Sequence, residues 1–186
     1  MPLSQLDAVP ALVVIDLQKA IAGLPCVHPL GAIVERAASL ANAFRERGFP
    51  VVLVNATGIA PGRIDAGRPS FEFPPDWSEL IPELGAQPGD FYVSKQRWGA
   101  FHGTALDDML RQRTVTQIVL LGVATSIGVE STARSAYDLG YNVVLVVDAM
   151  TDLSIDAHRN SVEAVFSRLG ETANTEDVLR LLQGAE

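Results

Sequence analysis

The sequence has little sulfur and almost no lysine: it contains one cysteine, Cys26, and its 14 basic residues include only two lysines, Lys19 and Lys95. A single cysteine excludes an internal disulfide and any metal cluster built from several thiolates. No apolar run approaches the roughly 20 residues that span a bilayer, and the first ten residues lack the pattern of a secretion signal. These absences predict a cytoplasmic protein that does not enter a membrane.

Excess positive charge is also missing, because the formal net charge of the 186 residues is −8. With no run of basic residues, an acidic chain is a poor partner for nucleic acid or for an anionic membrane. No glycine-rich phosphate motif and no internal repeat occurs, so the sequence predicts no nucleotide cofactor. We expect one domain over residues 1–186 that binds a small molecule.

Short apolar runs alternate with stretches of helical periodicity along the whole chain. The runs predict six strands, at residues 11–16, 50–56, 90–95, 117–122, 142–148 and 171–173. Helices are predicted between and after them, at residues 33–44, 104–113, 126–137, 156–168 and 176–182. The loop at residues 57–83 is rich in proline and glycine, which indicates a functional loop or a lid.

This alternation predicts an α/β fold: a doubly wound, three-layer α/β/α domain with a six-stranded, mainly parallel sheet. In such a sheet the carboxyl ends of the strands lie at one edge. We therefore expect Asp16, Lys95 and the turn at residues 122–128 to converge there.

Residues 118–134, IVLLGVATSIGVESTAR, are typical of a buried strand that leads through a turn of small residues into a helix. The start of a helix exposes backbone N–H groups that favour a negatively charged oxygen. The pattern G-V-A-T followed by V-x-x-T-A-R resembles the signature of the isochorismatase-like hydrolases, which include nicotinamidases, carbamoyl-amide hydrolases and isochorismatases. Two further segments match the family: D-L-Q from Asp16, and K-Q-R-W-G-A-F from Lys95.

The resemblance implies that Asp16 is the acid/base and that Lys95 is its charge partner. It also implies a cis peptide bond before Ala124 and an oxyanion pocket formed by the N–H groups of Ala124 and Gly128. Taken alone, the residues allow simpler interpretations: Asp16 could cap backbone N–H groups, and Lys95 could lie on the surface with its amine in water.

Gly128 stands where most amidases of the family carry a nucleophilic cysteine, so it cannot form a thioester. Isochorismatases also have glycine there, and hydrolyse a vinyl ether by protonating the enol carbon with the aspartate and adding water. The resemblance therefore predicts a hydrolase acting on a vinyl ether. An amide or carbamoyl hydrolase that activates water through Asp16, and a non-catalytic metabolite-binding pseudoenzyme, remain alternatives. Gly128 could also serve close packing alone, and Cys26 is expected to be a small hydrophobic residue.

The candidate substrate-binding residues differ in kind, and comprise Gln18, Arg63, Arg68, Trp98, Phe101 and Thr125. The arginines could grip a carboxylate or be solvated, and the aromatic residues could form a pocket wall or pack in the core. True isochorismatases have G-V-Y-A-H where this chain has residues 122–126 as GVATS, so the substrate stays open. The three histidines occur singly, which predicts no metal, and the resemblance implies no cofactor and a homodimer or higher oligomer.

Overall fold

A single parallel sheet organises the molecule. The computed structural model describes residues 3–65, 67 and 74–184. The strands are β1 Pro10–Ile15, β2 Val51–Ala56, β3 Phe91–Lys95, β4 Gln117–Val123, β5 Asn142–Thr151 and β6 Glu171–Ala173. They lie in the order β3-β2-β1-β4-β5-β6, and every neighbouring pair is parallel. The predicted doubly wound α/β fold is confirmed.

Helices cover both faces of the sheet and create two hydrophobic cores. They are α1 Lys19–Ala22, α2 Leu30–Glu46, α3 Leu106–Gln112, α4 Glu130–Asp138, α5 Ile155–Asn160 and α6 Thr175–Gly184. One core lies under α2 and α6, and the other lies under α3 and α4. None of the helices in the described part of the chain is long and apolar enough to cross a membrane.

The central strand β1 shows how the sequence produces these layers. All six of its residues are buried, because a parallel strand between two helical layers has no solvent face. Leu12 and Val14 point to the α2 side, whereas Val13 and Ile15 point to the α3 and α4 side. Successive side chains of a strand alternate between faces, so one continuous apolar run supplies both cores.

Three predicted boundaries are wrong. β5 extends to Thr151, because a shift of register between Leu120 and Gly122 of β4 lets pairing resume at Met150 and Thr151. The predicted helix at residues 156–168 is α-helical only to Asn160 and continues through π and 3₁₀ turns. The predicted helix from residue 126 likewise begins as the π-helical turn Thr125–Val129, and α4 follows it.

Gly122 lets β1 and β4 approach closely at the carboxyl edge of the sheet. Its φ is +122°, a conformation that side chains disfavour. A β-carbon at this position would lie 2.1 Å from the carbonyl oxygen of Ile15, far inside van der Waals contact. The residue after Ile15 is therefore held directly beside the turn that follows β4.

Candidate active site

Two charged residues meet at the carboxyl edge of the sheet, as predicted. Asp16 follows β1 directly, and Lys95 ends β3 on the far side of β2. The Nζ atom of Lys95 lies 2.7 Å from Oδ2 of Asp16 and also donates to the carbonyl oxygen of Arg97 at 3.2 Å. The Lys95 side chain is only 2% exposed, which excludes the solvated interpretation of this lysine.

The carboxyl group of Asp16 is only partly satisfied. Its Oδ1 atom is buried and has no hydrogen-bond partner among the described residues. Burial raises the pKa of Asp16 to about 6, and the charge and hydrogen bond of Lys95 oppose that rise without cancelling it. Both protonation states are therefore accessible near neutral pH, which suits a group that gives and takes protons.

Gly128 lies against this carboxyl group. A β-carbon on Gly128 would lie 3.0 Å from Cγ2 of Ile15 and 3.2 Å from Oδ2 of Asp16. A side chain at position 128 would crowd the Asp16 carboxylate, so a glycine at this position allows the carboxylate to stay where it is. The peptide bond between Val123 and Ala124 is cis. The oxyanion pocket of Ala124 and Gly128 N–H groups stays a prediction.

Buried polar side chains support the turn from behind. The Thr125 hydroxyl donates to the carbonyl oxygen of Thr151 at 3.0 Å and lies 2.9 Å from Nδ1 of His158. Because its single proton goes to Thr151, we infer that Nδ1 of His158 donates to Thr125. Burial, with a smaller contribution from the charge of His28, lowers the pKa of His158. A neutral His158 therefore anchors the turn.

A second anchor, Asp152, was missed by the sequence analysis. Its Oδ2 atom accepts hydrogen bonds from the N–H and the hydroxyl of Ser126 at 2.7 and 2.8 Å. Its Oδ1 atom accepts from the N–H groups of Leu153 and Ser154. Asp152 follows β5 directly, as Asp16 follows β1, and this position at a strand end was the signal available.

A cavity of about 230 Å³ opens over the Asp16–Lys95 pair. Apart from this pair and Gly128, its lining is mostly apolar and consists of Ile21, Leu24, Ala56, Gly58, Ile59, Ala60, Arg97, Trp98, Val123, Ala124, Ile127 and Leu153. A larger cavity of about 900 Å³ lies along α2, but the Asp16–Lys95 pair does not line it. We therefore take the smaller cavity as the candidate active site.

Comparison with known proteins identifies the family to which the chain belongs. A family model, the Isochorismatase domain, matches residues 10–177, which contain every residue of the site. The chain belongs to the isochorismatase family. It is an isochorismatase-family hydrolase, and its fold is that of the similar structures solved for this family.

Three relatives illustrate the similarity of this isochorismatase-family chain to known members. It is 42% identical to the uncharacterized isochorismatase family protein YwoC of Bacillus subtilis (strain 168), over 91% of this chain and 92% of that protein. It is 30% identical to the ureidoacrylate amidohydrolase RutB of Pseudomonas syringae, over 80% and 73%. An isochorismatase family protein from Burkholderia thailandensis has a similar structure, with a TM-score of 0.92, 44% identity, and 96% and 98% coverage.

The two aromatic residues that were predicted to contact the substrate, Trp98 and Phe101, lie in different places in this isochorismatase-family chain. Trp98 lines the cavity, in agreement with its predicted place. Phe101 instead packs against the ring of Tyr141, with centroids 5.8 Å apart, in the core under α3 and α4. Phe101 is not among the described residues that line the cavity, and its role as a substrate contact stays a prediction.

Two residues predicted as polar contacts, Gln18 and Thr125, are not among the described residues that line the cavity. Gln18 is buried, and its side-chain amide bonds to both backbone groups of Ala56 and to the carbonyl oxygen of Trp77. Thr125 is fully buried and contacts Thr151 and His158 instead. Both residues therefore hold the backbone around the site, and their prediction as substrate contacts is wrong.

The predicted arginines have other positions. Arg63 is exposed and does not line the cavity, whereas Arg68 lies outside the described residues. Arg97, which was not predicted, lines the cavity. Cys26 is not part of the described lining, and burial raises the pKa of its thiol. Within the described ranges no group of three or more His, Cys, Asp or Glu side chains could hold a metal ion.

Proposed function

We propose that this protein hydrolyses a small vinyl ether, with Asp16 as the general acid and without a covalent enzyme intermediate. The observation that carries the proposal is the unequal carboxyl group of Asp16. Oδ2 is bonded to Lys95, whereas Oδ1 is buried and has no partner among the described residues. The proton of the acid form therefore belongs on Oδ1, the oxygen that is not bonded to Lys95.

The reaction balances with one water and no cofactor. Oδ1 of Asp16 protonates the terminal enol carbon, which forms a C–H bond and leaves a carbocation stabilised by the ether oxygen. Water adds to the cationic carbon and returns a proton to Asp16, and the hemiketal then breaks its C–O bond to give a ketone and an alcohol. Lys95 stabilises the carboxylate that exists between the two proton transfers.

Gly128 is consistent with this route because it offers no nucleophile and leaves the Asp16 carboxylate in place. An amide hydrolysis in which ionised Asp16 activates water is the second candidate. The similarity to the ureidoacrylate amidohydrolase RutB favours it. The two routes need opposite protonation states of Asp16, so the pH dependence of the rate separates them.

The test measures pyruvate release from isochorismate and from 2-(benzyloxy)acrylate, a simpler vinyl ether, by the native chain and by Asp16→Asn. We expect release that the substitution abolishes, with kcat/KM falling as the pH rises through about 6. Release from neither compound by the folded protein would overturn the vinyl-ether proposal. In that event, ammonia release from ureidoacrylate that increases through about pH 6 would support the amide route.

A further inference from the structure

Among the described residues, three charged side chains line the cavity. Two of them, Asp16 and Lys95, form an ion pair with a separation of 2.7 Å, which leaves Arg97 as the charged side chain of this described lining that is outside the pair. The Nη1 atom of Arg97 donates to the carbonyl oxygen of Gln96 at 2.8 Å. A guanidinium has five N–H donors in a planar fork, so donors remain for a second partner.

The backbone of Arg97 is fixed beside the reacting pair. Its carbonyl oxygen accepts the hydrogen bond from Nζ of Lys95, and the residue itself is half-buried at the cavity wall. A ligand group bound to this guanidinium would therefore lie in the cavity that Asp16 also lines. Carboxylates match the fork of an arginine in shape and charge.

The rest of the cavity selects an apolar body. Five large hydrophobic residues in the lining are exposed to solvent, namely Leu24, Ile59, Trp98, Ile127 and Leu153. A group of large apolar side chains exposed around one cavity marks a binding site, because their exposure to water is unfavourable unless a ligand or partner covers them. A ligand that covers these side chains removes their apolar surface from water, which favours binding.

We propose that the substrate is a compact monocarboxylate, with its carboxylate on Arg97 and an apolar body against Trp98 and its exposed neighbours. This inference rests on the proposed function for its choice of cavity. It adds the charge and shape of the substrate, and makes Arg97 the residue that determines specificity. A dicarboxylate such as isochorismate is then expected to be a poorer ligand than 2-(benzyloxy)acrylate.

Binding of such an anion also favours the proposed chemistry. A negative charge close to Asp16 disfavours its ionised form and raises its pKa further. The substrate would thus increase the fraction of Asp16 that carries a proton on Oδ1. A neutral ligand of the same shape would not do so.

Calorimetric titration with benzoate and with the neutral benzamide tests the proposal without any turnover, so its failure is distinguishable from failure of the proposed function. The proteins are the native chain, Arg97→Gln, Arg97→Lys and the control Arg180→Gln, an exposed arginine on α6. We expect Arg97→Gln to raise the Kd of benzoate about tenfold to a hundredfold. Benzamide binding should not change, Arg180→Gln should behave as the native chain, and Arg97→Lys should recover part of the affinity.

Quenching of tryptophan fluorescence by the bound benzoate, lost in Trp98→Phe, would place the probe in the cavity. The proposal is overturned if benzoate does not bind the native chain or binds Arg97→Gln equally well. Tighter binding of the dianion phthalate than of benzoate would also contradict it.

Discussion

Two buried ion pairs lie at opposite edges of the sheet, and they differ in how many oxygens of the carboxylate have a hydrogen-bond partner. Asp90, immediately before β3, accepts Nε and Nη2 of Arg45 on its two oxygens at 2.9 and 2.7 Å, and Oδ2 also accepts the N–H of Gln87 at 2.7 Å. Asp16, at the carboxyl edge, has one oxygen bonded to Lys95 and one without a partner among the described residues. The first carboxylate is saturated and the second is not.

In the proposed function, this difference separates an ion pair that only stabilises the fold from one that also transfers a proton. A saturated carboxylate has recovered in hydrogen bonds what it lost in hydration, so it stabilises the fold and has little capacity for a new partner. An unsatisfied buried oxygen costs stability and also raises the pKa of its group. Asp16 therefore combines a cost to folding with the capacity to transfer a proton, and the following substitutions test that contrast.

Asp16→Asn should have the largest effect on the rate. An amide cannot donate the proton of a carboxylic acid, so we expect kcat/KM to fall about 100- to 10,000-fold. The measurement is pyruvate release at the pH optimum, with the urea midpoint recorded to show that the variant folds. A folded variant with a native rate would remove Asp16 from the mechanism.

Asp90→Asn should show the opposite pattern. The variant leaves the Arg45 charge buried without its counter-charge, and we expect a loss of about 3 kcal/mol in the free energy of unfolding. The value of kcat/KM measured at a temperature where the variant is folded should be close to native. Urea denaturation gives the first quantity, and a large loss of kcat/KM would show that the two pairs are not separate in function.

Lys95→Met should move the pH dependence without abolishing the acid. Burial then acts on Asp16 with no opposing positive charge, so the pKa of Asp16 should rise above about 6. The expected upward displacement of the midpoint in kcat/KM against pH is about one unit or more. A midpoint that stays or moves to lower pH would mean that Lys95 does not act on Asp16 through its charge.

Gly128→Ala should have the smallest effect. Its β-carbon would press on Oδ2 of Asp16 and on Ile15, and a displacement of a few tenths of an ångström should reduce kcat by about tenfold. Gly31→Ala on α2 is the matched control, because no atom lies within 4 Å of its added β-carbon. We expect that control to keep the native kcat, and an equal loss in both variants would exclude the steric explanation.

The sequence was sufficient to predict the parallel sheet and the edge at which Asp16 and Lys95 meet. Continuous apolar runs such as that of β1 need burial on both faces, and parallel strands necessarily bring their carboxyl ends together. The arrival of Asp16 and Lys95, 79 residues apart, at one edge therefore followed from the parallel direction of their strands, whereas their pairing was implied by the family resemblance.

The direction of single side chains could not be predicted in the same way. The Gln18 side chain is engaged by the backbone, because its amide bonds to Ala56 and Trp77, which are 38 and 59 residues further along the chain. Trp98 and Phe101 lie three residues apart outside any helix or strand, so no periodicity determines which of them enters the core. The missing partner of Asp16 Oδ1 is likewise a property of the folded environment.

Gly122 has a consequence for how this protein would respond to random mutagenesis. Any side chain there collides with the backbone of Ile15, so a library selected only for folded protein should retain glycine at this position. A mutational scan would then mark position 122 as intolerant because of the fold, close to position 16, where we expect intolerance because of the proposed proton transfer. Such a scan should be read with separate readouts for abundance and turnover, because intolerance near the reacting carboxyl group has two independent origins.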